Sequence, residues 1–228
     1  PFFTSLYLAF TEYNILTPAK WIGLANFKKM FFEDKLFWKS FWVTFKFALI
    51  QVPVKLLVSL GVALILSRNS RAIPVYRAAF YIPSLMGGSV AVALTWKQMF
   101  AYKGAINAIL GALGMEPVKW LSDPKTALGV LIGLGVWQFG SSMLIFLAAI
   151  KNIPQSYHEA AIVDGAGPVR RFFSITLPYI SPTIQFQVIM AMISNFQYFT
   201  QAYVFASLTD AASGAGAGGG PSNPMLFY

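Results

Sequence analysis

The chain of 228 residues contains no cysteine and a single histidine. Disulfides and thiolate metal sites are therefore excluded, and a histidine-based metal centre has too few ligands to form. Charge is scarce too. Asp, Glu, Lys and Arg make up 11% of the residues, where a soluble domain carries about 25%. No GxxxxGK[ST] phosphate cradle occurs, nor a Ser/His/Asp or Cys/His arrangement. That removes P-loop nucleotide binding and nucleophilic catalysis, so the chain is not expected to be an enzyme.

What is abundant is apolar. Hydrophobic residues reach 57% and the mean hydropathy is +0.60, which makes lipid the main solvent. The net charge of +9 is scattered between apolar runs and forms no stripe, which argues against nucleic acid. Four stretches, 41–67, 75–99, 126–150 and 179–208, are long enough to cross about 30 Å of hydrocarbon as helices. Residues 1–11 read as part of another span, and PMLFY as the start of one more at 225. The expected fold is all-α: one polytopic transmembrane domain over 1–228, with terminal spans missing.

Arginine sets the orientation. Arg68, Arg71 and Arg77 lie in one loop and Arg170 and Arg171 in another, two spans away. Both loops are therefore expected on one face, the cytoplasmic one by the positive-inside rule. Lys20, Lys28, Lys29, Lys35 and Lys39 fall on the opposite face. Residues 26–42 place Phe27, Met30, Phe31, Phe37, Trp38 and Phe41 on one side and lysines on the other, the pattern of an interfacial helix. The Gly, Ala and Ser stretch at 209–223 predicts a flexible external connection.

The segment 151–178, containing EAAIVDGAGPVRRFFSITLP from Glu159 onward, is heavily punctuated. Pro154 and Ser156 predict a helix start, Gly165 a left-handed C′ residue, Pro168 the first residue of a second helix, and Pro178 its stop. The result is a rigid helix–Gly–helix elbow. Glu159-Ala160-Ala161, Gly165, Ile175, Leu177 and Pro178 match EAA–x3–G–x9–I–x–LP. With WIGLANF (21–27) and GGGP (218–221), they resemble membrane permease subunits of binding-protein-dependent bacterial ABC importers, carbohydrate branch, of the maltose permease type. The resemblance covers essentially the whole chain. It implies an inner-membrane protein that moves a sugar or oligosaccharide inward by alternating access. It also implies that Glu159, Ala160, Ala161, Asp164 and Gly165 couple to a dimer of ATPase subunits, which would bind the ATP and Mg. The other implied partners are a second, homologous permease and an external or periplasmic solute-binding protein. Without the whole signature, Glu159 reads as the cap of a surface helix.

Polar groups within spans are costly and mark candidate sites. Ser194, Asn195, Tyr198 and Gln201 share a helical surface by spacing, and Trp137, Gln138 and Ser141 offer similar chemistry in the preceding span. The resemblance places a sugar pocket on these two helices, at Gln138, Ser141, Ser194, Asn195 and Tyr198. Interhelical hydrogen bonding is the alternative. Lys55 lies mid-span with Gln51 and Ser59 a turn to either side. It should face a cavity, the partner permease or an anion, and in the last case the sugar would be acidic. Gly129 and Gly133 form a G-x3-G pair suited to close packing, and Pro53 and Pro83 predict kinks or helix ends. Two rivals stay open: a permease of the same superfamily for peptides, amino acids or a phosphorylated metabolite, and a secondary transporter. The acids Glu12, Glu33, Asp34, Glu116, Asp123, Glu159, Asp164 and Asp210 all fall in loops or at span ends, which disfavours proton or sodium coupling.

Overall fold

The computed structural model describes residues 1–14, 17–68, 71–198 and 200–207. The 209–223 loop with its GGGP, Asp210 and the span start expected at 225 lie outside the described residues.

Helix α1 (Phe2–Ala9) leads into an antiparallel hairpin, β1 (Thr11–Asn14) and β2 (Thr17–Trp21), that pairs Thr11 with Trp21 and Glu12 with Lys20. The span expected over 1–11 therefore ends at Ala9. WIGLANF fastens this turn. Asn26 Nδ2 donates to the carbonyls of Ala9 and Thr11, each at 3.0 Å, and so serves a helix-end carbonyl that has no intrahelical donor. Trp21 stacks on Phe10 at 5.6 Å, and Gly23 turns the chain at φ +62.

The continuous interfacial helix expected over 26–42 does not form. Helix α2 (Ala25–Lys28) runs into a π turn over Lys29–Glu33, and Asp34 breaks the chain. Asp34 then caps α3 (Lys35–Leu66), its Oδ1 accepting from Leu36 N (2.8 Å) and Phe37 N (3.1 Å). An Asp at an N-cap satisfies orphan helix donors better than an Asp inside a helix. The first crossing accordingly begins at Lys35 rather than at 41.

Among the described residues, α3 is the one helix long and apolar enough to cross a membrane unbroken, and Pro53 sits inside it. The stretch expected as a single span over 75–99 is two helices, α4 (Ile73–Met86) and α5 (Val90–Met99), bent by 101°. The break falls at Gly87-Gly88-Ser89 and not at Pro83, which α4 absorbs. Ser89 Oγ caps α5 by accepting from Val92 N. After the short α6 (Ala105–Ala112), the stretch over 126–150 is α7 (Pro124–Trp137) and α8 (Gly140–Lys151), bent by 46°. Helices α9 (Gln155–Val163) and α10 (Pro168–Arg171) form the elbow. The 179–208 stretch is α11 (Leu177–Phe196) and α12 (Thr200–Ser207), and its glutamines keep α11 from being apolar enough to cross alone.

Pro178 does not stop the second elbow helix. A π turn over Phe172–Thr176 links α10 to α11, with Leu177 N donating five residues back to Phe172 O. The wider turn accommodates the missing N–H of Pro178, which lies in the first turn of α11.

The core divides into two clusters stacked along α3. Phe47 packs with Ala93 of α5, Val130, Leu131 and Leu134 of α7, and Ala202 and Val204 of α12. Further along, Val52, Leu56, Ala63 and Leu66 pack with Ile73 of α4 and Met143, Phe146 and Leu147 of α8, flanked by Ile184 and Met192 of α11. Between lipid-exposed helices the driving force is close packing, not transfer out of water, so small residues decide the approach. A Cβ on Gly140 would meet Tyr81 Cα at 2.8 Å and overlap the Phe80 carbonyl, so α4 and α8 touch backbone to backbone there. The Gly129/Gly133 pair plays no such part among the described residues, where Gly129 has nothing within 4 Å and Gly133 meets Trp96 Cζ2 at 3.9 Å.

Candidate functional site

Three of the four chain traverses break at one level, at 87–89, 138–139 and 197–198, between the two apolar clusters. Among the described residues α3 alone passes through, carrying Gln51 near its middle. A broken helix leaves carbonyls and amides without intrahelical partners, and here one side-chain amide takes up such a carbonyl while others tie the helices together around the breaks. Gln201 Nε2 donates to the Gly87 carbonyl at 3.1 Å. Asn195 Nδ2 donates to Gln51 Oε1. Ser59 Oγ donates to Phe139 O at 3.2 Å and to Lys55 O in its own helix. Gln187 Nε2 donates to Ser142 O at 3.2 Å. Gln51, Asn195 and Gln201 are 2%, 4% and 8% exposed, so this is an interior polar waist.

Glycines let the waist close. A Cβ on Gly87 would overlap the Gln138 carboxamide, and one on Gly135 would overlap Gln51 Nε2. The structure thus brings Gln138, Asn195 and Gln201 together as expected, and adds Gln51, Gly87 and Gly135. Tyr198 stands beside them, its ring 5.2 Å from Phe47. Among the described residues, Gln138 Nε2 and Tyr198 Oη are buried without a hydrogen-bond partner, an uncommon condition for buried polar atoms.

Two expected residues lie elsewhere. Ser194 is exposed and donates to Met190 O of its own helix. Ser141 is exposed on α8. The helical face drawn through Ser194, Asn195, Tyr198 and Gln201 assumed an unbroken helix, and the break at 197–198 ends that periodicity. Lys55 is half-buried on the α3 face between Gln51 and Ser59, and its ammonium makes no hydrogen bond or ion pair among the described residues.

At the far end, α9 closes with a Schellman turn: Ala166 N donates to Ala161 O (2.8 Å), Gly165 N donates to Ile162 O (3.0 Å), and Gly165 has φ +72. This is the left-handed C′ position the sequence called for. Glu159, Ala160, Asp164 and Gly165 are exposed and Ala161 is half-buried. Around them Val163 (87% exposed), Ile162, Val169 and Phe173 turn apolar surface outward.

Residues 55–217 match the family described as binding-protein-dependent transport system inner membrane component. The chain is 48% identical to the probable ABC transporter permease protein YesP of Bacillus subtilis (strain 168), over 100% of this chain and 71% of that protein. It is 34% identical to the trehalose/maltose transport system permease protein MalF of Thermococcus litoralis, over 90% of this chain and 68% of that one. In fold it is similar to a chain of the bacterial alginate ABC transporter solved in complex with an alginate pentasaccharide-bound periplasmic protein. That likeness has TM-score 0.70 and 20% identity, and covers 90% of this chain and 67% of the other. A permease subunit conducts substrate and does not itself catalyse a reaction. The long helix, the bent pairs, the EAA elbow and these likenesses agree: the chain belongs to the multi-pass inner-membrane permeases of binding-protein-dependent ABC importers.

Proposed function

We propose that the polar waist is the passage for a sugar or oligosaccharide, and that the 151–178 elbow couples its opening to partner ATPase subunits. The observation that carries the proposal is the pair of buried polar atoms, Gln138 Nε2 and Tyr198 Oη, without partners where three helix breaks meet. Carboxamides and a phenol beside rings suit a ligand whose hydroxyls need donors and acceptors and whose C–H faces stack. The trehalose/maltose name of one relative supports the same class. A peptide or amino acid would want a carboxylate for its ammonium group, and the waist residues described above include none. Lys55, without a partner among the described residues on the waist face of α3, supports an acidic saccharide.

In this proposal the exposed apolar residues around Glu159 and Gly165 seat in the ATPase, which holds ATP and Mg. A second permease completes the pathway, and a solute-binding protein delivers the sugar. The test is ATP-driven uptake by proteoliposomes holding the assembled transporter and its binding protein. Wild type should accumulate maltotriose or trigalacturonate. Glu159→Lys should still insert yet lose both uptake and stimulated ATP hydrolysis. Full uptake by Glu159→Lys would remove the elbow from the mechanism, and uptake of neither saccharide by wild type would remove the substrate class.

A further inference from the structure

Chain 100–123 connects α5 to α7 at the end of the bundle opposite the elbow, and a groove of about 700 Å³ opens there. That lies within the roughly 300–1,000 Å³ of small-molecule sites. Its walls present Lys97, Gln98, Tyr102, Lys119, Trp120 and Ser122, and no carboxylate is among the described lining residues. Lys97 is tied in place, its Nζ donating to Val204 O of α12 at 3.0 Å.

The opposite wall is held by Asn107, which is 6% exposed. Its Nδ2 donates to Tyr102 O and Val118 O, both at 2.9 Å, and its Oδ1 accepts from Val118 N and Trp120 Nε1, both at 3.0 Å. Thr126 Oγ1 donates to Trp120 O at 2.8 Å. The Trp120 ring and the backbone on either side of Lys119 are thus preset before any ligand arrives. From Trp120 the rings continue inward: Phe100 at 5.8 Å, then Trp96 at 5.5 Å from Phe100, then Trp137 at 5.6 Å from Trp96. Trp137 immediately precedes Gln138 of the waist.

We propose that this groove is an entrance subsite for a carboxylate-bearing saccharide, and that the Trp120–Phe100–Trp96–Trp137 wall guides the sugar from it to the waist. The inference rests on the saccharide proposal above. The two ammonium groups attract the carboxylate and the rings meet the C–H faces. Gln98, Tyr102 and Ser122 offer groups for the hydroxyls. None of the three motifs that carry the resemblance lies in this segment, and Lys97, Tyr102, Lys119 and Trp120 were not singled out by the sequence.

The test uses the assembled transporter in nanodiscs, without binding protein, titrated with trigalacturonate and followed by saturation-transfer NMR. Lys119 and Tyr102 are exposed, so their substitution spares the core. Lys119→Ala should weaken binding about two- to fivefold. It should also flatten a salt dependence that is steep in the wild type. Tyr102→Ala should reduce transfer to the sugar C–H protons, and maltotriose should bind more weakly than trigalacturonate. Unchanged trigalacturonate binding in both variants, or no binding at all, would each overturn the groove. Wild-type ATP-driven uptake of either saccharide would meanwhile keep the substrate class. A transporter that takes up neither loses the substrate class and the groove together.

Discussion

Asn195 Nδ2 donates to Gln51 Oε1, joining the end of α11 to the middle of α3 across 144 positions of sequence. Both residues are buried, so removing one partner leaves the other's amide unsatisfied, at a cost of about 1–3 kcal/mol. Asn195→Ala should therefore lower the thermal midpoint of the detergent-solubilised protein. The double variant Gln51→Leu/Asn195→Leu removes both polar groups and should recover most of that loss. Uptake should fail in both. A double variant as unstable as the single would show that the amides are not paired.

Gly140 faces backbone atoms that cannot rotate away. Gly140→Ala should separate α4 from α8 and cost about 1–3 kcal/mol, as overpacking does. Gly129→Ala adds a methyl where nothing lies within 4 Å and should be neutral or slightly stabilising, since Ala outranks Gly in a helix. Thermal midpoints of the two variants side by side decide the matter. Equal losses would mean that another subunit covers Gly129.

What was legible in the sequence follows from the range of the interactions that carry it. The Schellman turn at Gly165 and the start of α9 at Gln155 are local chemistry, and the residues announce them. The apolar runs announce helices but not their breaks. Pro53 and Pro83 were expected to kink or end helices; both sit inside helices, and Gly87-Gly88-Ser89 makes the turn. A proline removes one hydrogen bond, whereas two glycines and a capping serine free a whole turn of backbone. Gln51 was visible as a polar residue beside Lys55. Its partner was not, because no periodicity within α3 reports on α11. Ser194 and Ser141 are exposed while Asn195 is buried, a difference that polar chemistry in a span does not announce.

Gly165 has nothing within 4 Å of its would-be Cβ, so its requirement is conformational. At φ +72 a residue with a Cβ costs about 1–2 kcal/mol, and Asn bears it more readily than a β-branched residue. Gly165→Asn should retain more ATP-driven uptake than Gly165→Val, with membrane insertion equal in both. Equal loss of uptake in the two variants would place the requirement in a close contact with the ATPase instead.

Lys55 offers the sharpest separation between a substrate role and an assembly role. It sits between Gln51, which is bonded to α11, and Ser59, which is bonded to the carbonyl at the α7–α8 break, so its α3 face is the one turned toward the waist. An unpaired mid-membrane lysine costs about 2.5–3.5 kcal/mol on insertion scales. Lys55→Met should therefore raise the yield of inserted protein. If the ammonium meets a carboxylate on the passing sugar, uptake of trigalacturonate should drop at least about tenfold, the equivalent of roughly 1.4 kcal/mol. Uptake of maltotriose should then stay near wild type or rise. If the lysine is instead bonded to the second permease, both uptakes should fall together and the co-purified amount of that subunit with them. The ratio of the two uptake rates, measured in one proteoliposome preparation, tells these outcomes apart.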